Sequence, residues 1–124
     1  MPLEFSEVEN NIVFVKASGT LVDEDYQQFV PRMEKLMQQF GKLRMVFTME
    51  DFHGWDLHSA WDELKFELKH TKDLKRVAVV GDRKWEKWAS RLSGIFTDAE
   101  VRYFYHDQAD EARAWIESFW FGSG

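Results

Sequence analysis

The densest chemistry in the chain lies between residues 84 and 96. Trp85, Trp88, Ala89, Leu92, Ile95 and Phe96 recur there at helical spacing on one face. Lys84, Lys87 and Arg91 follow at intervals of three and four on another. Indole rings beside long-stemmed cations suit a lipid headgroup boundary, where the ring sits half-immersed and the charge stays in water. The same pattern also describes an ordinary helix whose Trp face packs on a sheet and whose cations are solvated. A second apolar set, Phe52, Trp55, Leu57 and Trp61, begins just after an apolar strand. Open α/β sheets commonly place ligands at that end of their strands. Together with Trp85, Trp88 and Leu92 this set could wall an apolar pocket between two helices, with Gly54 as the hinge of a gating loop. The competing reading is that all these rings belong to one continuous core.

Other chemistries find less support. His53 and His58 stand near Asp51 and Asp56, but they are not spaced as two ligands on one helical face, and His70 and His106 stand apart. No metal site is expected. Ser18, Ser59, Ser90 and Ser93 lack a Gly-x-Ser-x-Gly setting, and the chain has no cysteine to act as nucleophile, thiolate ligand or disulfide partner. Gly81-Asp82 opens no phosphate-binding glycine motif. The acidic groups Asp23-Glu24-Asp25 and Asp62-Glu63 read as helix starts and solvated faces. No catalytic residue and no cofactor is expected, so the chain reads as a binding module and not an enzyme.

These residues must be positioned by elements, and strand and helix signals alternate along the chain. Residues 3–8 alternate apolar and polar, Asn10-Asn11 marks a turn, and residues 12–17 read as the returning strand of a hairpin. Gly19-Thr20 breaks that strand and offers Thr20 as a helix cap. Val22, Tyr26, Phe29, Val30, Met33, Leu36, Met37 and Phe40 then form one helical stripe, kinked near Gln27 by Pro31 and ended by Gly41. Residues 43–49 predict a short strand, residues 50–55 a loop, and Asp56 the cap of a helix carrying Leu57, Trp61, Leu64 and Leu68. The run RVAVV at 76–80 suits a central strand covered on both faces. Asp82 caps the Trp-bearing helix, residues 101–105 form the last strand, and Asp107 caps a final helix through Ala109, Ala112, Ile116, Phe119 and Trp120. The order ββαβαβαβα predicts an α/β fold with a mixed, mainly parallel sheet of about five strands and four helices.

Length and composition bound what such a fold can do. The 124 residues suit a single domain, 1–124, with enough apolar content to fill one core. A net charge of −6 argues against a nucleic-acid partner. Residues 1–10 have neither the basic nor the apolar region of a signal peptide, and no apolar run approaches a membrane span. The expected location is the cytoplasm, peripheral to the inner membrane face wherever lipid is met. Six Trp and eleven Phe are an unusual complement, and such rings dominate cores but are also preferred at interfaces and at the membrane boundary.

Five stretches in order, EDFHGWD at 50–56, LKF at 64–66, VAVVGD at 77–82, KWEKW at 84–88 and FTDAEVRYF at 96–104, resemble the bacterial SpoIIAA-like proteins. The resemblance spans nearly the whole chain. It implies a fold similar to STAS domains and to the SEC14 lipid carriers, and a module that binds a partner or an apolar ligand without established enzyme activity. Phosphoregulated STAS domains carry Asp-Ser at the start of the helix after the third strand. Here the matching pair is Asp56-Leu57, and Leu57 has no hydroxyl. Ser59, in the same expected first turn, is the substitute regulatory position. The favoured expectation is therefore binding of an apolar or lipid-like ligand with peripheral membrane contact through Lys84, Lys87 and Arg91. The alternative is a regulatory protein–protein module that uses helix 56–69 as its recognition surface. A homodimer through Phe66 or Phe119-Trp120-Phe121 fits either.

Overall fold

The computed structural model describes residues 3–9, 11–56, 74–82 and 99–118. Strands β1 (Leu3–Glu9) and β2 (Ile12–Val22) precede helix α1 (Asp23–Phe40). Strands β3 (Leu43–Asp56), β4 (Leu74–Gly81) and β5 (Glu100–Tyr105) follow, and helix α2 (Ala109–Glu117) comes after a single 3-10 turn at His106–Gln108. The five strands make one sheet in the order β1-β2-β3-β4-β5. The α/β class and the strand number agree with the sequence reading. The sheet is mixed. The turn at Asn10-Asn11 folds β1 back antiparallel on β2, while β2/β3, β3/β4 and β4/β5 pair in parallel. Of the four expected helices, the described residues hold two. Those expected at 56–69 and 84–96 lie outside the described residues, apart from Asp56, which ends β3.

Strand parity builds a core on each face of the sheet. Val13, Val15, Ala17 and Leu21 of β2, Met45, Phe47 and Met49 of β3, and Val77 and Val79 of β4 point to the face that α1 covers with Phe29 and Met33. Ile12, Val46, Ala78, Val80 and Phe104 point to the other, which α2 covers with Ala112 and Ile116. Val77 through Val80 are all buried, as the RVAVV run predicts for a strand covered on both faces. β1 adds Phe5, whose ring lies 5.4 Å from that of Phe29, with the Arg32 guanidinium 4.6 Å from the Phe5 centroid.

Several expected boundaries move. Thr20 does not cap α1, because β2 continues through it to Val22. The helix starts at Asp23, and the Val22 N–H donates to Asp25 Oδ2 at 2.8 Å, one half of a capping box. α1 continues through Pro31 as one element and ends at Gly41, whose N–H donates to the Met37 carbonyl at 2.8 Å. Asn11, at φ 63°, ties this end to the hairpin: its Nδ2 donates to the carbonyls of Phe40 (3.3 Å) and Lys42 (3.0 Å). Asp107 lies inside the 3-10 turn and caps nothing at α2. Gln108 Oε1 there accepts from the Tyr105 N–H at 3.0 Å. α2 stops at Glu117, short of the expected Phe119 and Trp120, which lie outside the described residues.

Candidate functional site

The largest departure from the sequence reading falls where the ligand end of the sheet was expected. Residues 50–55 are not a loop. β3 runs unbroken from Leu43 to Asp56 and stays paired with β2 through Gly19↔Phe52, Thr20↔Gly54, Leu21↔Trp55 and Val22↔Asp56. The glycines that read as chain breaks mark bulges instead. Register shifts lie on both sides of Gly19, and Gly19 (φ 63°), Asp51 (φ 50°) and Gly54 (φ 112°) all take positive φ. A Cβ added at Gly19 would meet nothing within 4 Å, so its backbone conformation and not lack of room selects glycine there. β4 pairs with β3 only as far as Thr48↔Val80. Beyond that level β2 and β3 continue as a two-stranded ribbon, roughly 20 Å long at about 3.3 Å per residue less what the bulges absorb.

One face of this ribbon is consumed by the core. Leu21 and Met49 are buried, and Phe52 packs against the same cluster. The other face is mainly polar, with Val22 exposed at its end. Thr20, Glu50 and His53 are exposed, and Lys16 Nζ pairs with Glu50 Oε2 at 3.2 Å. An ion pair this exposed contributes at most about 1 kcal/mol, so it orders the surface more than it stabilises it. Asp23, Glu24 and Asp25 open α1 where β2 ends, and Asp82, His106 and Asp107 follow the ends of β4 and β5. Among the described residues, the carboxyl end of the sheet is therefore rimmed mainly by carboxylates.

A second polar group anchors α2. Arg44 is 6% exposed beside the apolar run Met45–Phe47 in the first half of β3, and its Nη1 donates to the Ile116 carbonyl at 2.7 Å. Its register partner Arg76 donates from Nη1 to the Trp115 carbonyl at 3.0 Å and from Nε to Glu100 Oε2 at 3.1 Å. The Arg76 guanidinium lies 4.6 Å from the Trp115 ring centroid, and that of Arg102 lies 5.5 Å from it. The two strand arginines thus meet the negative end of a helix dipole and its last carbonyls. Burial pushes the Arg44 pKa down, Glu117 opposes that and Arg76 adds to it. An arginine stays charged through such a shift. Sequence reasoning missed this pair. The available signal was an arginine directly before an apolar run in each of two strands, Arg44 in LRMVF and Arg76 in KRVAVV.

Of the residues expected to line a pocket, Phe52 belongs to β3 and packs on the core, and Trp55, in the same strand, is the register partner of Leu21 in β2. Leu57, Trp61, Trp85, Trp88 and Leu92 lie outside the described residues, as do Lys84, Lys87 and Arg91, the regulatory candidate Ser59, and the dimer candidates Phe66 and 119–121. Gly54 has the positive φ expected of it, but within a strand and not a loop. Among the described residues no three His, Asp or Glu side chains gather as a metal site, and no helix is long and apolar enough to cross a membrane.

A family model described as SpoIIAA-like matches residues 12–117. The chain belongs to the SpoIIAA-like family. Among solved structures, this SpoIIAA-like chain is similar to an uncharacterized DUF3478-family protein with a SpoIIAA-like fold from Shewanella loihica PV-4. The two share 32% identity at a TM-score of 0.68, over 92% of this chain and 91% of that one. It also resembles the Bacillus cell fate determinant SpoIIAA in its phosphorylated form, at 12% identity and a TM-score of 0.54, over 88% of this chain and 96% of that one. The second likeness is one of fold alone. No curated protein matches the chain.

Proposed function

We propose that this SpoIIAA-like domain is a non-enzymatic regulatory module that acts by binding another protein at the carboxyl end of its sheet. The observation that carries the reading is the β2/β3 ribbon. It extends past β4, fixes its backbone with paired strands, and turns Thr20, Glu50 and His53 outward. A rigid polar surface of this kind suits a protein partner, since little ordering entropy is lost when it docks. Asp56, the position that resembles the first residue of the STAS phosphoregulatory pair, ends that ribbon, so the segment expected to recognise a partner begins where the ribbon stops. The Bacillus protein similar in fold is known in a phosphorylated form. In this chain Ser59 is the residue proposed for such control.

The sequence also favoured an apolar or lipid-like ligand with membrane contact through Lys84, Lys87 and Arg91. Phe52, the member of that aromatic set whose packing is described, is used in the core, which moves the weight towards a protein partner. Affinity capture from an extract of the source cells tests the proposal. The wild-type domain should retain a stoichiometric partner that Glu50→Gln/Asp51→Asn and His53→Ala variants lose while keeping their circular dichroism. Undiminished capture by folded variants would remove the ribbon as the docking surface. Sedimentation with anionic vesicles that weakens on charge reversal of Lys87 and Arg91 would restore the lipid reading.

A further inference from the structure

We draw no further inference here: the strongest candidate, the sheet edge that residues 49–56 of β3 present beyond the end of β4, carries nothing because nothing in the structure shows what covers it.

Discussion

Arg44 joins two faces of the molecule's logic: it occupies a core strand, yet its charge serves a helix packed across the sheet. Arg44→Met keeps most of the side-chain volume but strips the Ile116 carbonyl of its charged donor. Such a loss costs about 1–3 kcal/mol, and urea unfolding should show it as a lower midpoint at unchanged slope. An unshifted midpoint would mean that the bond contributes nothing net. Gly19 offers a cleaner case, because a substituted side chain there meets open space. Gly19→Ala should destabilise by about 1 kcal/mol through the left-handed backbone alone. Gly19→Asn should recover part of that, since Asn tolerates the conformation. Equal losses for the two variants would point to a contact in place of a backbone cost.

At the scale of elements, α1 depends on its buried stripe more than on its cap. Met33→Ala removes a fully buried side chain facing the sheet and should cost about 2–5 kcal/mol, whereas Asp25→Ala removes only the acceptor for the Val22 N–H and should cost about 1 kcal/mol. Thermal melts of the two variants should therefore separate clearly. Most of these elements were legible in the sequence. Period-two alternation gave β1, the continuous RVAVV run gave β4, and the Phe29–Met33 spacing gave α1. The far half of β3 was not legible. Residues 50–56 bring Glu, two Asp and a Gly together, which are disfavoured in strands by local preference, and only pairing with the equally irregular end of β2 makes a strand of them. Gly19-Thr20 was misread for the same reason: a bulge and a chain break use the same residues. The arginine anchorage of α2 was hidden because a sequence shows a cation in a strand but not the helix end that meets it.

At the scale of the molecule, the carboxylates described at one end of the parallel strands should steer association with the proposed partner by charge. Its on-rate should fall as salt is raised from 50 to 500 mM, with dissociation changing much less, in stopped-flow or surface-binding measurements. A salt-independent on-rate would place the contact elsewhere on the domain. Native mass spectrometry of the purified chain would separately report a second copy, a captured partner or a bound small molecule. The strand order also shapes what can bind. In doubly wound sheets, small molecules settle where successive crossovers diverge to opposite sides and part the chain. Here each strand is laid beside the last, from first to fifth, with no change of direction along the row. Such a climb contains no reversal of strand order of that kind. A partner docked as proposed would meet this end of the sheet across a broad rim, shape against shape, and the side chains along that rim would set its selectivity.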